Sequence, residues 1–137
     1  GAGGFRGGSG PVRTYRSMNE HQPFTASFGR NKWPGGGAAG GKDGSINYFQ
    51  FIDANGAVSE PAGIVARRVM NTNDVVRMVT ATGGGYGNPL KRPAEKVAMD
   101  AKNEYITVEQ AKEDYGVLLD TDTFAVLGFT EERQRAE

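Results

Sequence analysis

The chain has 137 residues, 16 basic and 16 acidic side chains, no cysteine and 21 glycines. Zero net charge removes the electrostatic argument for a histone-like nucleic-acid binder or an acidic tail, and the missing cysteines exclude disulfides and thiolate metal sites. Only 37% of residues are hydrophobic and glycine is about twice its average ~7% share, so a chain of this size is poorly equipped to build a core alone and reads as a piece of something larger.

Taken in order, Val12–Tyr15 mixes β-branched, aromatic and charged residues and predicts a strand. Phe24–Phe28 alternates apolar and polar residues, the pattern of a half-buried strand. Ile46–Ile52, Ile64–Val69 and Val75–Thr82 are rich in strand formers. Asn55-Gly56 predicts a hairpin turn, and Asn71–Asp74 is a second run of turn chemistry. The tail then changes character. Pro93 suits the first turn of a helix, and Val97 and Ala101 fall on one face of it. Thr107 and Gln110 have capping-box spacing, Val108, Ala111 and Tyr115 line one helical face, and Gly116 supplies the stop. Val117–Leu119 and Phe124–Leu127 flank the turn Asp120–Thr123 as a final hairpin, and Thr130-Glu131-Glu132 opens a last helix with acids at its positive end. The fold class expected is α+β: mainly β, with Gly-rich extended segments and a short helical C-terminal region. The expected division is a Gly-rich β region over 1–90 and a helical region over 91–137.

Charge follows the same division. Residues 1–44 hold 13 of the 21 glycines. Nine basic and five acidic residues leave 1–87 at +4, while seven and eleven leave 88–137 at −4. No stretch approaches the roughly 18 apolar residues of a membrane span, and Gly1-Ala2-Gly3-Gly4 carries no charged-then-apolar signal. The expected location is the cytoplasm.

Three glycine motifs invite phosphate or nucleic-acid readings. Gly36–Asp43 nearly matches the phosphate-binding G-x4-G-K-[ST] pattern, but Asp43 stands at the hydroxyl position, where it would repel phosphate, and no buried strand precedes the loop. Gly83-Gly84-Gly85-Tyr86-Gly87 follows a strand, but Asn88-Pro89 breaks both the dinucleotide spacing and the helix that should follow. Gly4–Gly8 contains one Arg-Gly-Gly element, where RNA-binding tracts repeat it. His21 is the only histidine, too few for a triad or a multi-histidine metal site. No catalytic residue and no metal ligand is assigned to this chain.

The order of these blocks resembles the hydantoinase B family. Gly3–Arg16 is similar to that family's Gly-x-x-Arg-Gly-Gly-x-Gly-x-x-Arg-x-Tyr-Arg stretch, Arg30–Gly41 to its arginine, Pro-Gly and Gly-Gly segment, and Thr82–Leu90 to its Thr-Pro-Gly-Gly-Gly-Gly-Tyr-Gly-Asp-Pro signature. Lys96–Asp100, Tyr105–Ala111 and Asp114–Val117 resemble its helical end. Asn88 departs from the family's Asp, and the chain resembles only the C-terminal portion of subunits several times longer.

The resemblance implies a set of expectations. The family comprises ATP-dependent hydantoinases, 5-oxoprolinases and the acetone and acetophenone carboxylases. ATP and Mg2+ then belong to a hydantoinase A-like partner, a metal held by histidine and carboxylates belongs to the larger B-like partner, and this chain binds no cofactor. A small, detached B-type piece fits the multi-subunit acetophenone carboxylases, with bicarbonate and an aromatic ketone as substrates; a hydantoinase or oxoprolinase subunit is the alternative. The B-type fold also implies polyproline-II-like glycine segments. Arg6, Arg13 and Arg16 are the candidate anion contacts, and Gly83, Gly84, Gly85, Tyr86 and Gly87 the candidate backbone contacts, to substrate or intermediate. Trp33, Phe49 and Phe51 are the candidate anchors of the partner interface in a hetero-oligomer without nucleic acid or membrane. An RNA-binding module and a purely structural subunit are the readings from other classes.

Overall fold

The computed structural model describes residues 1–136. In the described residues, seven antiparallel strands and three short helices make an α+β fold that is mainly sheet. They fall into two compact units. A sheet unit comprises Gly10–Gly35 and Ser45–Thr82; a helical unit comprises Gly1–Ser9, Gly36–Gly44 and the chain from Gly83 onward.

In the sheet unit, β1 (Val12–Arg16), β2 (Gln22–Ser27), β3 (Tyr48–Ile52), β4 (Ile64–Met70) and β5 (Val75–Val79) lie where the alternating and β-branched runs predict them. β1 and β3 both pair antiparallel with β5, and β2 pairs with β4. Phe49 and Phe51 on β3 and Val76 on β5 point to one face, while Tyr48, Gln50 and Ile52 point to the other, as the two-residue period of a strand requires. Phe49 is fully buried. The Phe24 ring stands edge-on to Phe49 and Phe51 at 5.8 and 5.6 Å, and the Phe28 ring stacks on Phe49 at 4.4 Å. Arg68 lays its guanidinium 4.2 Å over the Phe51 ring. Burying a side chain of this size contributes about 1.5–3 kcal/mol, so a few aromatics carry much of this small core.

Turn chemistry sets the connections. Asp53 accepts from the amides of Asn55 and Ala57, and Gly56 takes a positive φ of 88°, so the chain folds back and Val58 bridges Ile52. Asn71 donates its amide to Asp74 at 2.8 Å. That turn closes no hairpin: β4 and β5 belong to different sheets, and the turn hands the chain from one to the other. Opposite Thr25, β4 carries a bulge, with Arg67 at φ 51° and its amide bonded to the Thr25 hydroxyl.

In the helical unit, a 3-10 turn over Pro89–Lys91 leads to α1 (Ala94–Lys102) and α2 (Val108–Tyr115). Pro93 is the N-cap of α1 rather than part of its first turn. Thr107 and Gln110 form the full capping box, and Gly116 ends α2 in the left-handed conformation at φ 65°. β6 (Val117–Leu119) and β7 (Val126–Phe129) form the final hairpin, and α3 (Glu131–Ala136) follows. Val97, Ala101, Ala111, Tyr115, Val117 and Leu119 make this unit's own core.

In the β6–β7 turn, Asp120 accepts from the Thr123 amide and hydroxyl and from the Asp122 amide. The Thr123 amide is the main cause, and the other two bonds add to it, of a carboxyl held below its ordinary value. A carboxylate depressed by folding contributes its stabilisation at neutral pH and loses it as pH falls through the depressed value. An NMR titration should therefore find Asp120 protonating below the ordinary aspartate range, with the Thr123 amide resonance moving in step, and the Thr123→Ala variant should return it toward the ordinary value.

Candidate functional site

Three glycine-bearing segments of the helical unit, 1–9, 36–44 and 83–88, are cross-bonded through their backbones. Gly4 and Phe5 donate to Gly87 and Tyr86, and Tyr86 donates back to Phe5. Ala38 donates to Gly85, and Gly87 to Ala38. Lys42 donates to Ala2, and Gly85 to Lys42, so each segment bonds both others. The backbones lie too close for side chains: a Cβ on Gly7 would overlap the Gly83 carbonyl, one on Gly41 the Gly85 carbonyl, and one on Gly85 the Ala2 carbonyl.

This braid accounts for the motifs. Among Gly83, Gly84, Gly85, Tyr86 and Gly87, the amides of 83, 85, 86 and 87 are taken by Gly8, Lys42, Phe5 and Ala38. In the phosphate-loop look-alike, the Asp43 carboxylate accepts from the Gly37 amide at 2.8 Å, filling a donor that a phosphate would need. Asn88 accepts from the Leu90 amide at 2.9 Å and caps the 3-10 turn, a task amide and carboxylate side chains both perform.

Beside the braid is a charged centre that the motifs do not reveal. Asp100, buried on α1, takes Arg6 Nε at 3.2 Å and Arg92 Nη2 at 2.8 Å on the same oxygen. Arg92 also donates to the Gly4 carbonyl at 3.0 Å, and Arg133 donates to the carbonyls of Arg92 and Tyr115. The Arg6 guanidinium lies 4.6 Å over the Tyr105 ring and donates to the Gly7 carbonyl and the Ser9 hydroxyl. Burial, opposed in part by Arg92, pushes the Tyr115 hydroxyl up from its ordinary value, so it stays neutral. One signal was available in the sequence: Asp100 shares a helical face with Val97 and Ala101, where a carboxylate needs buried partners. Nothing in the sequence names Arg6 and Arg92 as those partners.

The remaining candidates lie in the sheet unit. Arg13 and Arg16 are on the exposed strand β1. Phe49 and Phe51, expected as interface anchors, are packed into the chain's own core; their alternation with Tyr48, Gln50 and Ile52 puts them on the inner face. Trp33 is 74% exposed and is the one of the three anchors left at the surface. His21 is exposed, and its amide bonds the Asn71 side chain at 3.3 Å. Among the described residues no group of three or more histidine, cysteine or carboxylate side chains is arranged to hold a metal. No described helix is long and apolar enough to cross a membrane.

Two contrasts test this construction by urea denaturation. Gly7→Ala forces a side chain into backbone and should cost about 1–3 kcal/mol, while at neighbouring Gly8 a Cβ meets nothing within 4 Å and Gly8→Ala should be neutral or stabilising by a few tenths. Asp100→Ala strands two guanidiniums and should cost about 3–5 kcal/mol, while Arg135→Ala removes only an exposed one-turn pair with Glu131, worth about 0.3–0.5 kcal/mol.

Comparison with known proteins places this geometry. The family model for Hydantoinase B/oxoprolinase matches residues 1–89. A B-type chain assigned to a D-/L-hydantoinase of Pseudomonas sp. (strain NS671) is 32% identical over 119 residues, which are 85% of this chain and 20% of that protein. The beta subunit of the caprolactamase of Pseudomonas jessenii is 32% identical over 137 residues, 88% of this chain and 21% of that protein. The crystal structure of the ATP-dependent caprolactamase from Pseudomonas jessenii aligns with 98% of this chain and 23% of its own, at a TM-score of 0.75 and 26% identity. A nucleotide-free acetone carboxylase aligns with 74% of this chain and 17% of its own, at a TM-score of 0.58 and 20% identity, a likeness of fold. The chain therefore spans about a fifth of the length of the curated relatives it matches. With 89 of its 137 residues under the family model and relatives along most of its length, the chain belongs to the hydantoinase B/oxoprolinase family.

Proposed function

We propose that this chain is a small subunit that completes a hydantoinase B-like subunit inside a cytoplasmic, multi-subunit, ATP-dependent enzyme. One observation carries the reading: nearly the whole chain aligns with less than a quarter of the caprolactamase chain. A piece of that size needs the rest of the fold, and its exposed Trp33, Met18 and Ile64 offer apolar area for it. ATP and Mg2+ are bound by a hydantoinase A-like partner, and a metal held by histidine and carboxylates belongs to the larger B-like partner. This chain contributes shape and charge. Its glycine segments pack as polyproline-II-like helices, a reading supported by backbones that touch where Cβ atoms are missing. Arg6 is committed to Asp100 and Tyr105, which leaves Arg13 and Arg16 as the cations available to an anionic intermediate or to the partner.

The reaction proposed is ATP- and bicarbonate-dependent carboxylation of a ketone, with an aromatic ketone such as acetophenone as substrate. A second reading, ATP-dependent opening of a cyclic amide, is favoured by the higher TM-score with caprolactamase than with acetone carboxylase. The Arg-Gly-Gly element offers little to an RNA reading, because Gly4, Phe5 and Gly7 are bonded into the fold.

Native mass spectrometry of the untagged protein from its source is the test. The expected result is an assembly containing large A-like and B-like chains. A folded 14.6 kDa monomer with no large partner overturns the proposal. On the assembly, phosphate release stimulated by acetophenone with bicarbonate supports carboxylation, and release stimulated by caprolactam, hydantoin or 5-oxoproline supports amide opening instead.

A further inference from the structure

The three-stranded sheet has one bare edge. On the far side, the β3 backbone is covered: Phe49 exchanges hydrogen bonds with Ala62, and Phe51 bonds Ser59. On the near side, among the described residues, β1 pairs only with β5. The Thr80 amide donates to Pro11 and the Ser17 amide to Asp74, which fixes the phase of the ladder. Antiparallel pairing alternates inward and outward backbone groups, so Pro11, Arg13, Tyr15 and Ser17 face β5, and the N–H and C=O groups of Val12, Thr14 and Arg16 face away from it. All five residues of β1 are exposed. No bulge interrupts the strand, and its register with β5 is unbroken from Val12 to Arg16. Arg13, Arg16 and the preceding Pro11 discourage indiscriminate pairing, but the outward N–H and C=O groups remain a template for a partner of matching charge.

The two faces beside that edge differ. Val12, Thr14 and Arg16 share a face with Val75, Arg77 and Val79 of β5, and the described structure gives neither Arg16 nor Arg77 an acidic partner. On the opposite face, Tyr15 and Val76 help line an open cavity of about 310 Å³, to which Pro23, Phe24 and Met70 add apolar surface and Arg16, Ser17 and Gln22 polar surface. An extended segment laid along β1 would put alternate side chains on these two faces.

We infer that β1 is a strand-addition site, and that its occupant is an extended segment of the large hydantoinase B-like chain. That segment carries carboxylates on the face toward Arg16 and Arg77 and a large apolar side chain on the face toward the cavity. The inference rests on the subunit reading above, since the occupant comes from the four-fifths of the relatives' length that this chain does not span. Main-chain hydrogen bonds give such a contact its affinity, and the alternating side chains its selectivity.

The test is amide hydrogen exchange, resolved by residue, on the assembly purified from source and on the isolated chain. The amides of Val12, Thr14 and Arg16 should exchange about tenfold or more slower in the assembly, because an added strand must open before they exchange. Thr14→Pro removes one outward N–H and leaves the β5 ladder intact, a change an edge strand tolerates. It should lose the large chain from the assembly, while Thr14→Val retains it. If Thr14→Pro fails to fold, the exchange comparison decides alone. An assembly in which these three amides exchange as fast as in the isolated chain overturns this inference and leaves the subunit reading standing. Absence of any large chain overturns both. Protection in the isolated chain that rises with its concentration overturns the choice of occupant in favour of a second copy.

Discussion

Three peptide backbones in mutual contact set the terms for the helical unit. Segments 1–9, 36–44 and 83–88 bond one another through carbonyls and amides at spacings where an ordinary Cβ would strike a neighbouring peptide group. Glycine is needed here for what it lacks. This arrangement satisfies backbone polar groups without a regular ladder, at the cost of residues that bring no side chain to a core and lose the most freedom on folding. The rest of that unit must then supply its apolar packing, which it does with small residues on two short helices around Tyr115.

The charged centre at Asp100 follows from the same economy. Arg6 leaves the first glycine segment and Arg92 leaves the turn after the third, and both end on one buried carboxylate. Arg92 returns a hydrogen bond to Gly4. Side chains that could not fit inside the braid thus fasten it from its flank. The arrangement assigns Arg6 a structural task, whereas Arg13 and Arg16 keep their charges exposed.

Local order is legible in the sequence wherever a short-range rule applies. The Thr107–Gln110 capping box, the Gly116 stop, the Asn55-Gly56 turn and the alternating strands are decided within a few residues, and the structure has each of them. Long-range placement is not. Aromatic residues in a Gly-rich chain suggest a partner, which makes Phe49 and Phe51 look like interface anchors, yet their two-residue period marks one buried face. Arg6 and Asp100 are 94 positions apart, and no local pattern announces such a pair. The three glycine segments carry a family resemblance in their order, but their mutual hydrogen bonding is a property of the tertiary fold. The Asn71–Asp74 turn is plain from its residues, while its role in passing the chain between sheets depends on β2, far earlier in the chain.

The braid also governs the timetable of folding. Its first and third members are separated by about 80 residues, and a loop of that length costs roughly 1.8 kcal/mol more entropy to close than one of ten. The sheet unit has its own long-range pairs, but its last strand ends at Val79, ahead of the third glycine segment. In synthesis order Gly1–Ser9 precedes Gly83–Gly87, so the cross-bonds between them form only after the third segment emerges. Topologies dominated by such distant pairings fold slowly, and the first glycine segment keeps its backbone donors and acceptors open to other partners in the interval.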